Sequence, residues 1–108
     1  FENMVALELC RAVSIWNDMG WGRYKLHFIK NKEQQEVDFI IADENRPLLL
    51  IETKLAETKP SPALLKFQAA LEIPAVQLTN TAGGYHLFSR GAHKILIAPA
   101  WQWLATLP

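Results

Sequence analysis

The sequence predicts an α/β (α+β) fold, one mixed sheet flanked by helices. Three observations predict it. An amphipathic helix pattern opens the chain. Three strand-like segments joined by short turns follow it. A Ser-Pro helix start then separates the third strand from a fourth. Strands joined by short turns pair antiparallel, whereas a strand–helix–strand crossover makes its two strands parallel and right-handed. The expected core order is helix, three strands, helix, strand, with further strands behind it.

Each element has its own signal. Residues 2–18 read as a helix, because Val5, Leu9, Ala12, Val13 and Trp16 recur at three- and four-residue spacing, with Met4 and Cys10 widening the apolar face. That face predicts a buried thiol at Cys10. Gly20 is available for a left-handed cap. Tyr24 to Ile29 alternates, with Tyr24, Leu26 and Phe28 on one face and Lys25 and His27 on the other, the pattern of a half-buried strand. Glu36 to Ala42 and Leu48 to Lys54 are the next two strands, separated by the turn residues Asp43 to Pro47. Ser61 is a good N-cap and Pro62 a good first helical residue for a helix reaching about Glu72, where Pro74 stops it. Ala75 to Thr79 is a fourth strand, Tyr85 to Phe88 and Lys94 to Ala98 are shorter ones, and Pro99 starts a last helix carrying Trp101 and Trp103.

Composition narrows the function. Half of the 108 residues are hydrophobic, and eleven basic residues balance eleven acidic ones. The size indicates one domain over residues 1–108. Hydrophobicity at this level excludes disorder, and a lone cysteine excludes a disulfide scaffold. Zero net charge excludes a binder of polyanions held by bulk electrostatics. No apolar run reaches the length of a membrane span, and no Gly-rich phosphate loop is present. The start at Phe1 without an initiator Met reads as a piece of a longer, cytoplasmic protein. His27, His86 and His93 lack metal-ligand spacing.

Two short segments carry the chemistry: Glu36-Val37-Asp38 on the second strand and Glu52-Thr53-Lys54 on the third. A turn centred on Asn45 puts Asp38 opposite Glu52 and Glu36 opposite Lys54. Directly opposed residues have Cβ atoms about 5 Å apart, and residues two apart on a strand share a face. Two carboxylates so placed repel each other unless a cation lies between them. A hard ion such as Mg²⁺, or Mn²⁺, takes oxygen ligands, and Asp38, Glu52 and the Thr53 carbonyl offer three. Lys54 then stands beside the attacking water or a phosphate, an arrangement for metal-assisted phosphodiester hydrolysis. The plainer reading of Glu36 and Lys54 is a cross-strand ion pair worth about 0.2–1 kcal/mol. Arg23, Lys25, Lys30 and Lys32 form an acid-free basic stretch that suits a phosphate backbone or a solvated strand and turn.

Asp, about a dozen residues, then Glu-x-Lys on a hairpin after one helix and before another resembles the PD-(D/E)xK nuclease pattern. Asp38, Glu52 and Lys54 match its three signature positions, and Val37 stands where the proline would be. The resemblance implies a restriction-endonuclease-like α-β-β-β-α-β core. It also implies a supporting glutamate on the first helix, Glu2 or Glu8, with Glu2 preferred, and an auxiliary Lys66 or Gln68 on the second. Over nearly the whole chain, the opening Phe1 to Leu9, the two motif strands, Ser61-Pro62 and the closing Ile97 to Trp101 resemble a C-terminal domain of unknown function from prokaryotic AAA+-type ATPases. That resemblance implies a further N-terminal ATPase region, where ATP would bind. Three functions stay open: a nuclease-like module that cuts or binds DNA with Mg²⁺, an RNA-directed nuclease, or a silent fold that docks on the ATPase region or on a second copy.

Overall fold

A computed structural model describes residues 1–28, 38–56, 59–81, 83–90 and 93–107. In chain order the elements are α1 (Glu2–Asp18), β1 (Tyr24–Phe28), β2 (Phe39–Asp43), β3 (Arg46–Lys54), α2 (Pro62–Leu71), β4 (Ala75–Thr79), β5 (His86–Arg90), β6 (His93–Pro99) and α3 (Ala100–Leu104). Six strands form one sheet in the order β1-β2-β3-β4-β6-β5. β1, β2 and β3 pair antiparallel through their short turns. The crossover through α2 makes β3 and β4 parallel, with Glu52 beside Gln77. β6 adds parallel to β4, and β5 closes that edge antiparallel to β6. The mixed α+β class and the α-β-β-β-α-β order are those the sequence predicts.

Alternation along the strands sorts side chains between two layers. Phe39, Ile41, Ile51, Val76, Leu78 and Ala98 join Val5 and Leu9 of α1 and Ala100 of α3 on one face. Leu50, Ala75, Ile95 and Ile97 join Leu64 of α2 on the other. Every residue of β4 is buried because both of its faces are covered. Ser61 caps α2 by accepting the Leu64 backbone N–H at 3.0 Å, with Pro62 behind it, and Glu72 ends the helix in a left-handed conformation, φ 56°. Gly20 has φ +76°, the conformation for which a glycine was expected there. Among the described residues no helix is long and apolar enough to cross a membrane.

The structure differs from the sequence expectation in several places. Cys10 is exposed, not buried, and so is Met4. The buried stripe of α1 is narrow, limited to Val5, Leu9, Ala12 and Val13. Cys10 lies about 100° around the helix from Leu9, outside that stripe. Phe28 is also exposed at the end of edge strand β1, although its ring meets Phe39 edge-on at 5.4 Å. The β2–β3 turn is tighter than five residues. Asp43 pairs with Arg46, and only Glu44 and Asn45 lie between them. Glu44 takes a positive φ of 55°, is bonded through its N–H to the Arg23 carbonyl, and is ion-paired to the Arg23 side chain. A bulge then leaves Leu48 unpaired, since Ile41 pairs with Leu49 but Ala42 with Pro47. Proline has no N–H to give a ladder, which suits it to this irregular position. The strand start at Glu36 lies outside the described residues.

The layer assignment predicts where truncation hurts. Leu64→Ala, at a fully buried position under α2, should cost about 2–5 kcal/mol in urea unfolding. Leu7→Ala, at an exposed α1 position, should stay within about 0.5 kcal/mol. Equal losses would contradict the packing described.

Candidate functional site

Asp38, Glu52, Thr53 and Lys54 meet where the β2–β3 hairpin opens toward α2. The expected register holds where it matters: Phe39 pairs with Ile51, Ile40 with Leu50 and Ile41 with Leu49, which carries Asp38 level with Glu52. Asp38 sits one residue before β2, so no backbone ladder is assigned there. Its carboxylate takes the ladder's place. Oδ2 accepts both the Thr53 backbone N–H and the Thr53 hydroxyl, each at 2.7 Å. The sequence expected Thr53 to offer a carbonyl oxygen. Its N–H and hydroxyl also hold the Asp38 carboxylate, a role the sequence did not point to.

Glu52 is only 3% exposed. It belongs to the α2 face, continuing the line of Leu50, so the first turn of α2 lies over it. Oε2 accepts the Ser61 hydroxyl, and Oε1 lies 3.6 Å from the Lys54 ammonium. Burial pushes the Glu52 pKa above its ordinary 4.5, because a charge loses solvation there. The Ser61 hydrogen bond and the Lys54 charge pull it down, while the neighbouring Asp38 carboxylate adds to the rise. Asp38 and Glu52 are thus electrostatic neighbours. Lys54 forms the exit of the group, 37% exposed along its side chain. It borders a cleft of about 510 Å³ that Ala56, Lys59, Pro60, Ser61, Pro62 and Gln77 also line.

This donor set suits one kind of metal. Among the described residues no three His, Cys, Asp or Glu side chains gather into a closed cage. Two neighbouring carboxylates, behind the lysine that borders the cleft, could hold a hard cation that keeps several waters, as Mg²⁺ does, and do not make a zinc site built from His and Cys.

The other expected residues lie elsewhere or outside the description. Gln68 is buried and donates through Nε2 to the carbonyls of Ile73, at 3.1 Å, and Lys94, at 2.9 Å. That ties α2 to the starts of β4 and β6, about 10 Å along the helix from Ser61. Lys66 is exposed on α2. Glu2 is exposed in the first turn of α1, the helix on the sheet face opposite α2. Glu8 pairs with Arg11 at 3.8 Å, one helical turn away. Arg23 is ion-paired to Glu44 at 3.3 Å, at the end of the hairpin remote from Asp38. Lys25 is exposed on β1. Glu36, Lys30 and Lys32 lie outside the described residues.

Sequence reasoning placed Ser61 only as a helix cap and passed over Gln77. Gln77 is fully buried. Its Oε1 accepts the Ser61 backbone N–H at 2.9 Å, and its Nε2 donates to the Lys59 carbonyl at 2.9 Å. The available signal was a glutamine inside the apolar strand Ala75-Val76-Gln77-Leu78-Thr79. A polar side chain buried there needs partners.

Comparison with known proteins gives a family and no characterised relative. A model of a domain of unknown function, DUF4143, matches residues 1–101, and the chain belongs to that family. No curated protein and no solved structure matches it.

The electrostatics of Glu52 give a signed expectation. With its pKa raised in the folded state, the folded chain holds the proton more tightly than the unfolded chain. Folding therefore loses stability as pH rises from 4.5 through the raised value, and this loss is absent at lower pH. Glu52→Gln removes that titration. Thermal melts from about pH 4 to pH 8 should show wild type losing ground to Glu52→Gln as pH rises. The opposite slope would contradict a carboxyl dominated by burial.

Proposed function

We propose that this DUF4143 domain is a metal-dependent nuclease module that hydrolyses phosphodiester bonds in DNA. One observation carries the reading. The three residues of the Asp…Glu-x-Lys signature come together at one end of the β2–β3 hairpin, and Lys54 borders a cleft of about 510 Å³. The likeness of that signature to the PD-(D/E)xK pattern supports it.

Asp38 and Glu52 would hold Mg²⁺ or Mn²⁺. When bound, the cation neutralises the paired carboxylates and polarises a phosphoryl oxygen. The chain's own groups do the remaining work. Thr53 holds Asp38 by two hydrogen bonds to a single oxygen. Lys54 stands at the cleft, where its ammonium can bind a phosphate oxygen and stabilise the charge that develops there. Lys59 adds a second cation to the same lining. Zero net charge is consistent with this arrangement. The site draws on the acidic residues, which leaves the remaining surface modestly basic, and we assign grip on the polymer partly to the ATPase region proposed to precede this domain.

A silent docking module is the second reading, and a specific observation favours it. Both Glu52 oxygens already face partners, Ser61 and Lys54. Half-exposed Trp101 on α3 offers an apolar contact for the ATPase region or a second copy.

The test is cleavage of labelled duplex DNA and single-stranded RNA by the purified protein with Mg²⁺, compared with Asp38→Ala and Lys54→Ala. The proposal expects cation-dependent DNA cleavage that falls about 10²–10³-fold in each variant. Cleavage unchanged in both variants would refute the assignment. Cleavage of RNA alone would move the substrate class. Inactivity with concentration-dependent dimerisation would favour docking.

A further inference from the structure

The start of α2 is bonded to the site as well as to its own helix. A cap needs only the acceptor half of a serine hydroxyl, and Ser61 uses that half on the Leu64 N–H. The donor half is aimed at Glu52 Oε2. Ser61 is itself 7% exposed, so water offers little substitute for either bond. Its position is fixed from the other side. The Ser61 backbone N–H is held by Gln77 Oε1, and Gln77 is in turn held by the Lys59 carbonyl. Gln77 stands beside Glu52 in the parallel β3–β4 register. Residues from β3, β4 and the connection into α2 thereby close around one carboxyl group.

We propose that Ser61 is the positioning residue of the cation site. By holding Oε2 it selects the Glu52 rotamer and leaves Oε1 on the side of Lys54. This rests on the reading of Asp38 and Glu52 as cation ligands. It adds that their affinity is set by a hydroxyl on α2, so that the site is assembled only when the crossover helix is docked. Hydrogen-bonding partners behind metal ligands commonly carry 10–100-fold in affinity.

Substitutions separate the two halves of the hydroxyl. Ser61→Thr keeps donor and acceptor. Ser61→Gly lacks the hydroxyl, but glycine is nearly as good a cap as serine, so α2 is retained. Ser61→Ala loses both. The experiment is calorimetric titration of each variant with Mn²⁺, beside metal-free thermal melts. Affinity should follow the hydroxyl: about 10–100-fold weaker in Ser61→Gly and Ser61→Ala, and largely restored in Ser61→Thr. A purely structural cap would make affinity follow melting temperature instead, with Ser61→Gly near wild type and only Ser61→Ala impaired. Wild-type affinity in a folded Ser61→Gly would overturn this proposal alone. Absence of Mn²⁺ binding by the wild-type chain would overturn the cation site, and this inference with it.

Discussion

The carboxyl group of Glu52 lies beneath the first turn of α2, and most of the arrangement around it answers that burial. A charge taken out of water needs partners, and a bare one would cost several kcal/mol. Ser61 donates to one oxygen and the Lys54 ammonium stands near the other. These contacts are short-range, so the elements that bear them cannot shift independently. β3 brings Glu52 and Lys54 on one face by their two-residue spacing. The connection after β3 brings Ser61 back over them. β4 then lies parallel to β3 and supplies Gln77 to hold Ser61 in place. The strand–helix–strand crossover is thus both the topological centre of the fold and the frame of the candidate site.

The hairpin contributes the second carboxylate by a different device. Asp38 lies just before β2, where its side chain bonds the Thr53 N–H and hydroxyl. The bulge at Leu48 lies at the far end of the hairpin, so it changes the register there and leaves the pairs nearest Asp38 as simple opposition predicts. The irregularity and the chemistry occupy opposite ends of the same two strands. The remaining expected contributors divide by face and by end. α1, with Glu2, packs on the other face. Arg23 sits at the remote end, neutralised by Glu44.

Much of this was legible because it depends on local pattern. The three- and four-residue spacing of Val5, Leu9, Ala12 and Val13 marked α1, and Ser61-Pro62 marked the start of α2. The opposition of Asp38 and Glu52 followed from a turn centred near Asn45. What was not legible depends on tertiary neighbours. The width of the buried stripe on α1 is decided by what lies beneath it, so Cys10 read as buried and is exposed. A cap residue looks alike in sequence whether or not its hydroxyl also reaches a strand, so Ser61 was half understood. Gln68 had the right residue type for a site role, and its amide nitrogen donates to the Ile73 and Lys94 carbonyls. Nothing in its local sequence names those partners.

The proposed cation site depends on Asp38 and Glu52 together holding one divalent ion. The most direct measurement is anomalous diffraction from crystals of the protein soaked in Mn²⁺. The expected result is a single manganese peak between the two carboxylates, on the Lys54 side of Glu52. A map at saturating Mn²⁺ with no peak between them, and with Ser61 and Lys54 still flanking Glu52, would contradict it.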